Sequence, residues 1–277
     1  MNISDIKGTF RLWNGVEMPY LGLGVFESVE GEETINAIHW AFEAGYRHID
    51  TASLYMNERS VGEAVKTSGI QRKDIFITTK VWNSEQGYQN TLDAFKRSLD
   101  KLQTDYVDLY LVHWPVRGKF IETWEALEEI YNNKFARAIG VSNFKKHHIQ
   151  ELSNNNHLKP MVNQVEFHPL LTQSELLSFC RNNDIQFQAW SPIIKGRVNT
   201  IPELIEIGRK YEKTPVQVTL RWDLQKGVIT IPKSVKKERI FSNADIFDFT
   251  LTHEEISIID SLNKNERMGA DPDNFNF

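Results

Sequence analysis

Apolar residues fall along this chain in short runs separated by amphipathic stretches. Runs at Tyr20–Val25, Tyr46–Ile49, Ile75–Thr79, Val107–Val112, Ala136–Val141, Met161–Val165, Ile185–Trp190 and Val228–Ile231 read as eight strands. Several lack a period-two alternation, as expected of strands buried on both faces of a parallel sheet. Between them the apolar spacing becomes helical: Ile35, Ile38 and Phe42 share a face, as do Leu92, Phe95, Leu99 and Leu102, and Trp124, Leu127 and Tyr131. Gly45 and Gly69 stand where helix C-caps belong, and Thr252-His253-Glu254-Glu255 is a capping box opening a last helix. Two helices, around Leu204–Tyr211 and Val216–Gln225, are expected between the seventh and eighth strands. Asn154–Asn156 is expected to be a helix-ending turn.

Eight strands alternating with helices predict an α/β chain folded as a closed (β/α)8 TIM barrel. A hairpin, TFRLWNGVEM with Asn14-Gly15 as its turn pair, precedes the barrel and is expected at its bottom. The polar tail ERMGADPDNFNF carries Phe275 and Phe277 and is expected near the active-site mouth. The chain of 277 residues shows no linker or repeat, so residues 1–277 are read as one domain.

Composition adds exclusions. A net charge of −5 argues against nucleic-acid or anionic-membrane partners. No segment approaches 18 consecutive apolar residues, and the N-terminus lacks a signal-peptide core. The lone cysteine, Cys180, permits no intrachain disulfide, lies in an apolar helical stripe, and points to the reducing cytoplasm. His147-His148 reads as a pair of surface histidines, with no metal-ligand spacing around it, and His168-Pro169 as a structural loop.

The chemistry concentrates at strand ends. Asp50, Lys80 and His113 each close an apolar strand, and Tyr55 follows Asp50 by five residues. In an α/β barrel the C-terminal strand ends carry the chemistry. A lysine ammonium beside a tyrosine favours the phenolate and brings its pKa toward a usable range, an aspartate keeps the lysine charged, and a histidine can donate to a carbonyl oxygen. Taken singly, each group also fits a structural role, the Asp–Lys pair as a salt bridge and His113 as a strand cap. A Lys80 Schiff base, as in barrel aldolases, is a rival use of the same lysine, opposed by the pairing with Asp50. Gly22-Leu23-Gly24 is not a dinucleotide fingerprint, because Glu27 holds the third glycine position. Lys233, Ser234 and Arg239 follow the last strand, where barrels often bind phosphate, although such a basic run also suits a solvated face. Phe26, Trp82 and Trp114 lie just past three strands and suggest an apolar slot for substrate.

The chain resembles the aldo-keto reductase superfamily over Leu21 to Asn243. The resemblance rests on GYRHIDTASLY continuing through NERSVGEAV, on TDYVDLYLVHWP and on IPKSVKKERIFSN, with IFITTKVW and AIGVSNF between them. The ending DPDNFNF is similar to that of small bacterial reductases of glyoxal, methylglyoxal and diketogluconate. The resemblance implies NADPH-dependent, metal-free carbonyl reduction, with Tyr55 as general acid, Lys80 and Asp50 as its modulators, and His113 orienting the carbonyl. It places Ser142, Asn143 and Gln164 on the nicotinamide carboxamide, Trp190 against its ring, and Ser191 with the loop through Gly196 beside the pyrophosphate. It assigns Lys233, Ser234 and Arg239 to the 2′-phosphate of NADPH and Asn243 to the adenine. Two positions depart from the pattern: Met56 where glycine is usual, and Ser242 where glutamate is usual. The implied partner is a small carbonyl substrate, and the implied state a monomer. A non-catalytic NADPH-binding redox sensor, as in potassium-channel β-subunits related to this family, is the other alternative.

Overall fold

The computed structural model of the chain describes residues 3–154 and 157–277. Asn155 and Asn156, part of the expected helix-ending turn, lie outside the described residues. The first two strands, β1 (Thr9–Arg11) and β2 (Glu17–Pro19), pair antiparallel. Their connection is longer than the two-residue turn expected at Asn14-Gly15. Gly15 alone in it has a positive φ, 88°, whereas a type I′ turn needs two such residues. Leu12 instead donates its N–H to Val16 and accepts from Gly15. Asn14 turns its side chain outward to the backbone of Arg137, at the N-terminal end of a barrel strand. The hairpin thus plugs the bottom of the barrel with Phe10, Leu12 and Met18 buried.

Eight parallel strands follow: β3 (Leu23–Gly24), β4 (His48–Asp50), β5 (Phe76–Val81), β6 (Val107–Val112), β7 (Ala136–Ser142), β8 (Val162–Glu166), β9 (Gln186–Trp190) and β10 (Ile229–Thr230). Neighbours in sequence are neighbours in the sheet, from β3 through β10. The two ends meet where Gly22 donates to Thr230 O, Thr230 to Tyr20 O and Gly24 to Pro232 O. The Gly-Leu-Gly that fails as a nucleotide fingerprint is this closing seam. A Cβ on Gly24 would stand 2.9 Å from the Ile231 carbonyl, and one on Gly22 would stand 2.6 Å from His48 Nδ1. Only glycine lets the first strand approach that closely.

The helices are α1 (Glu32–Glu43), α2 (Glu58–Thr67), α3 (Tyr88–Leu102), α4 (Phe120–Asn132), α5 (Lys146–Asn154), α6 (Ser174–Asn182), α7 (Pro202–Tyr211), α8 (Pro215–Gln225), α9 (Lys237–Ala244) and α10 (His253–Ser261). The expected pair between the seventh and eighth barrel strands is α7 and α8. Gly45 and Gly69 sit just past α1 and α2 with φ of 100° and 73°, as C-terminal caps require. Thr252 and Glu255 form the predicted capping box, and Thr214 with Gln217 forms a second one before α8. Cys180 is buried on α6, as core filling. Among the described residues no helix is long and apolar enough to cross a membrane.

Candidate active site

Lys80 is the centre around which the site is built. It lies near the C-terminal end of β5, fully buried. Its Nζ donates to Asp50 Oδ1 at 2.5 Å, to the Thr51 carbonyl at 2.8 Å and to Tyr55 Oη at 3.4 Å. Three N–H groups meet three acceptors, so the ammonium is fully satisfied without water. Burial alone would lower the Lys80 pKa, but Asp50 and Tyr55 outweigh it and hold the group above the ordinary ammonium value. Burial pushes the Asp50 carboxyl up, while Lys80 and Gln164 pull against it.

Tyr55 ends a 3-10 turn, Ser53–Tyr55, directly after β4. Burial raises its pKa more than Lys80 lowers it, so the phenol is held above its usual value. This corrects the expectation that the lysine brings it down. The resting hydroxyl stays protonated, with the ammonium placed where it favours negative charge on that oxygen. His113 follows β6 with its ring 5.7 Å from that of Tyr55. Burial and Lys80 drive its pKa well below the ordinary imidazole value, so the ring is neutral.

Asn57 carries no signal in the sequence, yet this buried residue ties the two loops that carry Phe26 and Tyr55. Its Nδ2 donates to the carbonyls of Val25 and Ser28, and its Oδ1 accepts from Thr51 Oγ1. Met56 adopts the left-handed conformation with φ 57° and is 69% exposed. It neither narrows the site nor packs beneath the loop.

Above Lys80 opens a cavity of about 1020 Å³. Asp50, Tyr55, His113, Phe26, Trp82 and Trp114 line one end of it, with Phe277. Phe277 stacks on Trp82 at 5.7 Å with an interplanar angle of 4°, and Phe275 packs on Trp114 at 5.1 Å. The tail therefore does close over the mouth. It is held by Glu166, a buried carboxylate at the end of β8, which accepts from Met268 N at 2.5 Å and Gly269 N at 3.2 Å. Lys145 grips it further on, 2.7 Å from both Asp271 and Asp273.

The rest of the cavity is lined by Ser142, Asn143, Gln164, Trp190, Ser191, Lys233, Ser234, Arg239, Ser242 and Asn243. Every lining residue expected from sequence is present, and Lys80 lies directly beneath. The wall is chemically graded. At the inner end amides and hydroxyls converge: Ser142 Oγ donates to Gln164 O, Asn143 Nδ2 to His113 O, and Trp190 Nε1 to Asn143 Oδ1. At the outer end, among the described residues, Arg239 has no ion-pair partner and Lys233 Nζ is engaged only by the Glu27 carbonyl. A polar amide pocket at one end and unpaired cations at the other suit a nicotinamide phosphate cofactor. Across the opening, Lys195 reaches both Glu27 carboxylate oxygens at 3.1 Å. No sequence signal marks that bridge, because both residues take left-handed backbone in separate loops (φ 59° and 50°).

The histidine pair also departs from expectation. His147 is exposed, but His148 is buried. Both Nε2 atoms approach Asp273 Oδ1, at 3.0 and 3.4 Å, and the three ligating atoms lie within 4.8 Å of one another. His148 Nδ1 accepts from the Lys145 backbone N–H, which leaves its proton on Nε2, directed at the carboxylate. The trio is thus arranged as a latch on the tail, in the tautomer opposite to the one a metal bound at Nε2 requires. His168 is fully buried against Glu166 at 3.1 Å, a structural placement as expected.

A closed barrel with a buried Asp–Lys–Tyr set beneath an amide-lined cleft defines an oxidoreductase that works on carbonyl groups. The profile of the Aldo/keto reductase family matches residues 20–264, and the chain belongs to that family. It is 53% identical to the glyoxal reductase of Bacillus subtilis, over 99% of each chain. It is 42% identical to the methylglyoxal reductase DkgA of Escherichia coli, over 96% of this chain and 97% of that one. Among solved structures, a Gox0644 variant in complex with NADPH superposes with a TM-score of 0.93 at 40% identity, covering 97% of this chain and 98% of the other.

Proposed function

We propose that the chain reduces aldehydes and α-dicarbonyls of the glyoxal and methylglyoxal kind to alcohols with NADPH, Tyr55 acting as the general acid. The observation that carries this reading is the single Lys80 ammonium shared by Asp50 and Tyr55 at the base of the cavity. A substrate carbonyl enters between the Tyr55 hydroxyl and the neutral His113 ring, walled by Phe26, Trp82, Trp114 and Phe277. When bound, NADPH would supply the hydride that the carbonyl carbon receives. Tyr55 delivers the proton to the oxygen, and Lys80 stabilises the phenolate left behind. His113 donates a hydrogen bond to the same oxygen and fixes its direction.

Ser142, Asn143 and Gln164 would hold the carboxamide, Trp190 the ring, and Ser191 with the Lys195 loop the pyrophosphate. Lys233, Ser234 and Arg239 would hold the 2′-phosphate, and Asn243 the adenine, with Ser242 beside it. Lys80 argues against the aldolase alternative, because an ammonium held by Asp50 has no lone pair to form a Schiff base. The close relation to reductases favours turnover over a silent sensor. The same reading takes residues 1–277 as one domain working as a cytoplasmic monomer, and gel filtration checks the assembly state.

The deciding assay follows NADPH oxidation with methylglyoxal, with NADH in parallel. Turnover with NADPH is expected well above NADH. Tyr55→Phe is expected to cut it by about 10³-fold while leaving NADPH binding nearly intact. A Tyr55→Phe enzyme that turns over within tenfold of the parent would remove Tyr55 from the role of acid.

A further inference from the structure

We infer that Gln188 is a positioning residue that locks the amide of Gln164 so that the cofactor meets a fixed hydrogen-bond acceptor. Gln164 lies in β8 and Gln188 directly opposite in β9. Both are buried within the barrel top. Gln164 Nε2 donates to Asp50 Oδ2 at 2.7 Å and to Gln188 Oε1 at 3.1 Å. A carboxylate can only accept, so the nitrogen of Gln164 must face Asp50. Its second N–H then needs an acceptor, and Gln188 offers its oxygen. With both amide protons committed inward, Gln164 has one group left for the cavity, Oε1. That group demands a donor and rejects a carbonyl.

Gln188 gives up its own pairing to do this. Its Nε2 is buried with no hydrogen-bond partner among the described residues. A buried amide half-satisfied in this way is a net burden unless its oxygen is needed. Without Gln188, a single bond to Asp50 would hold Gln164, and its terminal amide torsion is intrinsically soft. Gln164 would then swing, and the acceptor facing the cofactor would lose its direction.

The inference rests on the reading of the cavity as a nicotinamide site. It adds that the site distinguishes an amide side group from a ketone. The probe is the reduced 3-acetylpyridine analogue of NADPH, whose side group presents a carbonyl and a methyl with no N–H. Binding to the parent protein is measured by fluorescence titration for NADPH and the analogue, with no carbonyl substrate present. NADPH is expected to bind at least about tenfold more tightly, the cost of an unpaired acceptor. In Gln188→Met the two dissociation constants are expected to converge within about threefold, mainly through weaker NADPH binding, with an unchanged melting temperature. Gln188→Leu supplies the same comparison if the methionine variant does not fold. A preference for NADPH that persists undiminished in the variant overturns the role of Gln188 alone. A parent protein that binds neither cofactor overturns the nicotinamide reading itself.

Discussion

Asp50 divides its carboxylate between two partners, Oδ1 accepting from Lys80 at 2.5 Å and Oδ2 from Gln164 at 2.7 Å. One side chain therefore serves the proposed proton donor, through Lys80, and the proposed cofactor wall together. Asp50→Asn leaves the buried Lys80 ammonium without its counter-charge and turns an N–H toward Gln164. Breaking a buried pair from one side costs roughly 3–5 kcal/mol, so chemical denaturation should show a loss of that order. Asp50 also raises the Tyr55 pKa, so its neutralisation should move the alkaline limb of the reduction profile to lower pH. A limb that stays in place would detach Asp50 from the tyrosine.

The tail is fastened at Lys145 and lies across the substrate end through Phe275 and Phe277. Lys145→Met should free it without touching the reacting groups. The expected signature is a KM for an aromatic aldehyde raised about threefold to tenfold, kcat within twofold, and global stability lowered by no more than about 1 kcal/mol. Steady-state kinetics checks the split. Added salt should weaken the parent enzyme in the same direction, because these pairs are partly exposed.

Gly269 marks where the tail crosses the edge of Trp190. A Cβ there would stand 2.5 Å from indole Cη2. Gly269→Ala should push the indole into the cavity or lift the tail off it. Either displacement should weaken NADPH binding by about fivefold to tenfold, since roughly 1 kcal/mol of ring contact is at stake. Quenching of tryptophan fluorescence by the cofactor reports both the affinity and the movement.

Acid should unfold the protein early. Burial, with a smaller contribution from Lys80, lowers the His48 pKa to about 3, and burial with His147 lowers that of His148 to about 4. The unfolded chain protonates these rings near pH 6.5, whereas the folded chain refuses the proton until pH 3 to 4. The unfolded state thus binds more protons across that window, and stability falls as pH drops through it. For His48 alone the loss amounts to up to about 5 kcal/mol. Urea titrations from pH 7 to pH 4 should show a steep decline, shallower in His48→Gln. An equal slope in that variant would assign the acid sensitivity elsewhere.

The strands were legible in sequence because barrel strands bury both faces and so appear as nearly continuous apolar runs, as at Leu109–Val112. The cluster of Asp50, Tyr55, Lys80 and His113 was legible because each of its groups closes or follows such a run. What escaped depends on side chains meeting across long separations. Glu27 and Lys195 meet only because two loops adopt left-handed backbone, a choice nothing in their composition announces. Gln188 looks like any polar residue inside a strand until its neighbour across the sheet proves to be Gln164. His148 reads as surface from its polar surroundings and is buried against Phe120, which comes from α4, with Phe144 of the preceding loop on the same ring. The Asn14-Gly15 turn failed in a different way, because Asn14 spends its side chain on the barrel floor.

The dicarbonyls proposed as substrates are electrophiles that add to thiolates, and this gives the single cysteine a consequence. Cys180 is sealed inside α6, and burial pushes its thiol up to about 12, so at neutral pH it offers no thiolate and no path of approach. The chain can therefore meet such compounds without their adding to its thiol.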